Sequence, residues 1–339
     1  MKHKIKTGIL SYGLSGSVFH APFFHAHDGF HLIGIAERSI KRAQEKYPEI
    51  KSFNTVDELI ADPSIELVVV NTPNYSHFDF AMQALEANKH VLIEKPFAVT
   101  VDEALKLFAA AKAKGCCVLP YQNRRFDSDF LSVKEVVESG KLGDLVEVHI
   151  RFDRYRYEIG SKVAKETKVP GSGILFDLGP HLIDMAIALF GAPSASRKMK
   201  GYFRPNSEVD DFAQLHLTYL TGLNVFLTMS MLVADAQPAF VLHGTKGSFV
   251  KRRADVQEQQ LVDGMSLHDV RYGKEPENHR GTLTTISSEG KRREEQIPAK
   301  ASSYLQLFDA VYATIRDDEP YFISGEEVIQ QLKMIEGTL

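Results

Sequence analysis

Asp177 and His181 stand four residues apart in the stretch "DLGPH", with Pro180 between them. A proline is tolerated only in the first turn of a helix, so the stretch reads as a helix entrance. The spacing lets the two side chains share one face. A carboxylate beside an imidazole fixes its tautomer and favours the imidazolium, which suits general acid–base chemistry. The same pair also reads as an N-cap and a satisfied core histidine. No other ligand type stands at a metal-binding spacing from them, so no metal is expected.

A second constellation is "GILSYGLSG". Ser11, Tyr12, Gly13, Leu14, Ser15 and Gly16 occupy the six positions of a G-x-G-x-x-G turn, with Ser11 in place of the first glycine. Gly13 lets the backbone approach a pyrophosphate, Gly16 allows close helix–sheet packing, and the following helix start offers amides. A plain strand-to-helix turn uses the same residues. About 20 residues on, Glu37-Arg38-Ser39 ends the next apolar run. An acid there bonds the ribose of NAD, whereas an arginine accommodates the 2′-phosphate of NADP. Repulsion between Glu37 and a phosphate slightly favours NAD. Arg38 and Ser39 favour NADP if Glu37 turns away, and Ser39 also reads as a helix cap. Thr72, Pro73 and Asn74 form a turn after a buried run, with His77 against a cofactor or packed in a helix. "LIEKP" ends another apolar run in Glu94, Lys95 and Pro96, where a lysine faces a ligand or snorkels at the surface.

These residues need a frame that brings strand ends together. Residues 5–13, 30–37, 65–73, 90–96 and 116–122 read as strands. Helical segments at 17–27, 39–48, 75–89 and 100–115 alternate with them. Thr100 with Glu103 makes a capping box, and Gly115 ends that helix. Repeated βαβ units predict a parallel sheet whose ligands bind at the carboxyl ends of the strands. Beyond residue 122 the texture changes. A helix is expected at 129–143, a period-two strand at 144–158 and a helix with its entrance at 174–191. Three β runs lie between 210 and 250, and two helices at 303–317 and 324–339. The expected class is α/β, with a dinucleotide-binding domain at 1–122. An α+β domain at 123–339 then carries a large, mostly antiparallel open sheet.

The 339 residues carry a formal charge of −4, which shows no bias toward nucleic acid or an anionic membrane. The runs "KRRADVQ" and "GKRREEQ" read as solvated faces or turns. The two cysteines, Cys116 and Cys117, are adjacent, strain against bridging each other and read as small core residues. A reduced, cytoplasmic protein is expected, without a signal peptide or a membrane span.

With "GLSGSVFHAP", "TPNYSH", "EKPFAVT", "YQNRRFDSDFL", "GSGILFDLGPHLID" and "HGTKGS" in this order, the chain resembles the Gfo/Idh/MocA family of NAD(P)-dependent oxidoreductases over nearly its full length. Within it, the chain resembles the branch of scyllo-inosose reductases. The resemblance implies hydride transfer between nicotinamide and a secondary alcohol or ketone of a sugar or inositol-like polyol. It implies that Lys95 holds the reacting hydroxyl and the nicotinamide, that Pro96 follows an often cis peptide, that His181 exchanges the hydroxyl proton and that Asp177 orients it. Ser11, Gly13, Leu14, Ser15, Gly16, Glu37, Arg38, Ser39, Thr72, Pro73, Asn74, His77, Glu94 and Lys95 are the expected cofactor residues. Asn123, Arg124, Tyr155 and Arg156, rich in donors, are candidates for polyol hydroxyls. A homodimer or homotetramer through the open sheets is implied. A non-catalytic dinucleotide-binding regulator and an NAD-dependent glycosidase of the same family are the alternatives.

Overall fold

Leu67–Val70, buried on both faces, lies near the middle of a six-stranded sheet in which every strand is parallel. Continuous apolar runs of this kind are what helices on both faces of a parallel sheet require. The computed structural model describes residues 3–160 and 166–339. Its strands in the first sheet are β1 (Ile5–Ile9), β2 (Phe30–Ala36), β3 (Lys51–Phe53), β4 (Leu67–Val70), β5 (His90–Ile93) and β6 (Val118–Pro120). The second sheet holds β7 (Leu145–Asp153), β8 (Ala195–Gly201), β9 (Phe212–Thr218), β10 (Asn224–Ser230), β11 (Phe240–Gly244), β12 (Gly247–Lys251), β13 (Gly281–Ile286) and β14 (Arg292–Ile297). The helices are α1 (Ala21–Ala26), α2 (Ala43–Lys46), α3 (Val56–Ala61), α4 (His77–Glu86), α5 (Val101–Lys114), α6 (Ser128–Glu138), α7 (Ile174–Asp177), α8 (Gly179–Phe190), α9 (Val256–Val262), α10 (Leu305–Arg316) and α11 (Gly325–Glu336).

The chain divides into two compact units. One comprises residues 1–122, 258–272 and 304–329; the other comprises 123–257, 273–303 and 330–339. The order β3-β2-β1-β4-β5-β6 of the first sheet is that of a Rossmann fold, and it reverses direction between β1 and β4. Helix α5 begins at the Thr100–Glu103 capping box, with both reciprocal bonds formed, and stops at Gly115 in the left-handed region (φ 64°). Residues 39–48 make a helix only at Ala43–Lys46, because Glu37 and Lys41 fold the preceding segment back on itself. Residues 15–20 form a π-helical turn before α1 rather than one continuous helix.

The second sheet runs β14-β13-β12-β11-β7-β10-β9-β8 and is antiparallel except between β7 and β10. Val148, Ile150 and Phe152 of β7 point to one face, where Leu182, Ile183 and Ala186 of α8 join the core. Glu147, His149 and Arg151 take the other face, half-buried. "GKRREEQ" contributes the exposed edge strand β14 and is not a turn. "KRRADVQ", by contrast, is not a solvated face. Lys251 is fully buried against Glu275 and the His279 carbonyl, and Gln257 is buried against the Phe126 carbonyl. Each sheet edge is short or charged. Strands β3 and β6 have three residues each, and β6 ends in Pro120; β8 carries Arg197, Lys198 and Lys200. Cys116 and Cys117 are free thiols, half-buried rather than in the core.

Candidate active site

In the first unit, the carboxyl ends of β1, β4 and β5 lead into three turns that bond to one another. Gly16 has no room for a side chain: a Cβ there would meet the Ser11 carbonyl at 1.9 Å and Asn71 Nδ2 at 3.0 Å. Asn71, at the end of β4, donates Nδ2–H to that same carbonyl at 2.8 Å. Gly13 is the opposite case, since a Cβ there would meet only Ser11 Oγ, at 3.7 Å. The outer side of this turn is therefore bare main chain. Ser11 is well suited to replace glycine, because its hydroxyl accepts the Gly13 amide (3.4 Å). Leu14 is half-exposed beside it. An open, glycine-lined turn at the β1/β4 reversal, leading into a helical segment, fits the pyrophosphate of a dinucleotide.

The next turn is gripped from that segment. Ser15 Oγ donates to Glu94 Oε1 (2.6 Å), and His20 Nε2 lies 3.0 Å from the same oxygen. Glu94 Oε2 accepts the Lys95 amide (3.1 Å). Burial alone would push the Glu94 carboxyl up. The bonds from His20 and Ser15 and the Lys95 charge outweigh it and hold the group at about 2. Glu94 thus fixes the backbone that presents Lys95, and the Lys95–Pro96 peptide is cis. His20, fully buried, is absent from the expected site. Its place four residues past the glycine turn, within a segment read as plain helix, disguises it.

Thr72 and Pro73 lead into a 3-10 turn at Asn74–Ser76, where Ser76 Oγ donates to the Pro73 carbonyl (2.7 Å) and stands 2.8 Å from Thr72 Oγ1. Asn74 is half-buried. His77 is 1% exposed and faces main chain, not a crevice: Nδ1 lies 2.8 Å from the Pro96 carbonyl and Nε2 2.8 Å from that of Thr72. Glu37 is also turned inward. Its Oε1 accepts the Arg42 amide (2.9 Å) and its Oε2 the Ala43 amide (3.2 Å), so it ties down the start of α2. Arg38 and Ser39 are exposed, and Ser39 is not the cap of α2, whose N-cap is Arg42.

In the second unit, α7 and α8 meet at Leu178, so Asp177 ends one helix and His181 lies in the first turn of the next. His181 is buried (5% exposed), whereas Asp177 is partly open. Arg154 Nη1 stands 3.9 Å from Asp177 Oδ2, with its guanidinium over the Phe152 ring. Arg154 is a residue the sequence reading passes over. It shares the parity of Val148, Ile150 and Phe152, and that period-two count was the available signal. Arg125, also passed over, makes two 2.8 Å bonds to Asp184 on α8. Arg124 is buried, bonded to Asp127 (3.1 Å) and Asp255 (2.6 Å), and Asn123 is buried beside it. Both are buried within the unit. Tyr155 and Arg156 are exposed and tied by main chain to Leu232 and Met231. Among the described residues, no three His, Cys, Asp or Glu stand together as metal ligands, and no helix is long and apolar enough to cross a membrane.

Comparison with known proteins gives two family matches. Residues 5–122 match the oxidoreductase family with an NAD-binding Rossmann fold, and residues 130–250 match the GFO/IDH/MocA C-terminal domain. An uncharacterized oxidoreductase of Schizosaccharomyces pombe is 40% identical over 88% of this chain and 84% of its own. The scyllo-inositol 2-dehydrogenase (NADP(+)) of Bacillus subtilis is 35% identical over 99% of this chain and 93% of its own. A crystal structure of an oxidoreductase from Bacillus cereus superimposes with a TM-score of 0.89 at 32% identity, covering 98% of this chain and 95% of that one.

Proposed function

This chain belongs to the Gfo/Idh/MocA family of oxidoreductases, and on that premise we propose that it moves hydride between a nicotinamide cofactor and a secondary alcohol or ketone of a sugar or cyclic polyol. The observation that carries the reading lies in the first unit. The open glycine turn and the turn presenting Lys95 are joined through one carboxylate, Glu94, at the ends of β1 and β5, the strands on either side of β4. The substrate class rests on the inositol dehydrogenase relative, together with the acid–base pair of the second unit.

The nicotinamide, when bound, supplies a two-electron acceptor or donor for hydride. Gly13 would receive the pyrophosphate on bare main chain, and Gly16 lets the helical segment pack close enough to present it. Lys95 places a cation where the alkoxide oxygen develops, and charge stabilised there counts mainly in the transition state. His181 accepts the hydroxyl proton in oxidation and returns it in reduction, while Asp177 orients the ring. Arg154, beside Asp177, adds a cationic wall for substrate oxygens.

NADP is the cofactor this reading favours, against the weight given to Glu37 from sequence alone. The Glu37 carboxylate is committed to the α2 amides, which leaves exposed Arg38 and Ser39 to meet a 2′-phosphate. Self-association of the protein through the half-buried face of the second sheet is part of the proposal. On that face Phe226 is stacked between His149 and His216, at 5.0 and 4.5 Å. Free thiols accord with a cytoplasmic setting.

The test is a fluorescence titration with NADPH and NADH, followed by a rate screen with inositols, ketoinositols and aldoses. Saturable binding with NADPH tighter, and turnover of one such substrate, are expected. Binding of neither cofactor would remove the oxidoreductase reading.

A further inference from the structure

Two main-chain carbonyls converge on one buried imidazole. His77 Nδ1 lies 2.8 Å from the carbonyl of Pro96, and Nε2 lies 2.8 Å from that of Thr72. A carbonyl only accepts, and a neutral imidazole carries a single N–H. The neutral ring therefore bonds one carbonyl and turns a lone pair toward the other. Only the imidazolium donates to both. The two carbonyls belong to different turns: Thr72 follows β4, and Pro96 closes the turn that presents Lys95.

We propose that His77 is a proton-operated positioning residue, whose protonation ties the Thr72–Asn74 turn to the Glu94–Pro96 turn and couples cofactor binding to proton uptake. This rests on the oxidoreductase reading for the identity of the ligand. Burial favours the neutral ring and pushes its proton affinity below the ordinary imidazole value, while the two carbonyls and the Glu94 charge pull the other way. Lys95 opposes protonation from the same turn as Glu94. Glu94, held at about 2, stays ionised through the neutral range, so it does not itself titrate there. His20, on Glu94 from the other side, is the second imidazole of this cluster and serves as the control.

Consider a ligand that requires both turns at their bonded spacing. It raises the proton affinity of His77, and by reciprocity acid tightens the ligand. The gain is that of one hydrogen bond, roughly three- to tenfold in affinity. Its sign is fixed: Kd falls as pH falls.

The test measures Kd for NADPH and NADH between pH 6 and 8 on the full chain. Calorimetry in two buffers of different ionisation enthalpy counts protons. Wild type is expected to bind roughly three- to tenfold more tightly at pH 6 than at pH 8, with net proton uptake. His77→Gln, which donates to one carbonyl and does not titrate, is expected to lose that slope. His20→Gln is expected to keep it. Subtracting the variant from wild type removes the titration of the NADPH 2′-phosphate itself. If His77→Gln fails to fold, His77→Asn and the nitrogen-15 shifts of the wild-type rings, with and without cofactor, decide instead. A pH-flat Kd, a slope that survives in the His77 variant, or a His77 ring still neutral in the cofactor complex at pH 6 would overturn the proposal alone. Failure of either cofactor to bind at any pH would overturn it together with the oxidoreductase reading.

Discussion

The two candidate regions are built in opposite ways. In the first unit, side chains serve the backbone: Asn71 holds the Ser11 carbonyl, Glu37 holds the α2 amides and His77 lies between two carbonyls. The surface left for a ligand is largely main chain. In the second unit, side chains meet side chains: Arg125 pairs with Asp184, Arg124 with Asp127 and Asp255, and Arg154 stands by Asp177. A backbone surface recognises what is common to a class of ligands, such as a pyrophosphate. A side-chain surface is the part that can vary with the substrate and carry its chemistry. Substitutions in the first region should therefore move binding constants, and those in the second should move turnover.

His181→Ala is the largest expected effect and the direct check of that division. Turnover should fall about a hundredfold or more, with cofactor affinity unchanged. Near-normal steady-state rates would return His181 to the role of a core histidine. Lys95→Ala tests the division where it should break. Lys95 lies in the first unit, yet turnover should drop by a comparable factor of about a hundred, because the cation acts on the transition state. A change confined to cofactor affinity would make Lys95 part of the cradle only.

Gly16→Ala forces a methyl against the Ser11 carbonyl, where an ideal Cβ would stand at 1.9 Å. A loss of about 1–3 kcal/mol of stability and weaker cofactor binding are expected, read by thermal unfolding and titration. Gly13→Ala, with open space, should leave stability nearly unchanged. Arg38→Ala should weaken NADPH about tenfold and leave NADH unaffected, the size of one exposed charged contact. Equal effects on both would dissociate Arg38 from the 2′-phosphate.

The last effect concerns acid stability. Glu94 has a folded-state pKa of about 2, below its ordinary 4.5. Its contribution is present above the ordinary value and is lost as pH falls from about 4.5 toward about 2. Glu94→Gln should flatten the fall of melting temperature in that window. An unaltered acid slope would show that Ser15 and His20 do not stabilise the carboxylate.

Much of the frame was legible because it is written in local patterns. The run at 65–73, the Thr100–Glu103 box and Gly115 each specify their own neighbourhood, and the structure puts a strand, a helix start and a helix end there. The glycine turn was legible for the same reason. Strands β3, β13 and β14 were not. Three residues are too few to alternate, and a run of arginines and glutamates on an edge strand has no buried face to betray it. The direction of Glu37 was hidden as well, because its partners are main-chain amides five and six residues on, which any sequence supplies. The position of His77 between two turns is a tertiary fact. Its type and spacing are equally those of a residue packed in a first helical turn.

The charged margins of the second sheet carry a practical consequence. An unpaired strand is a template for indefinite growth, and a sheet of eight strands with apolar residues beneath would be a strong one. The arginines and glutamates of β14 and the basic residues of β8 would have to shed water before another chain could add at either end. Addition of another copy by ladder extension is thereby disfavoured. Concentrated solutions of the folded protein should accordingly stay clear by light scattering, without fibres.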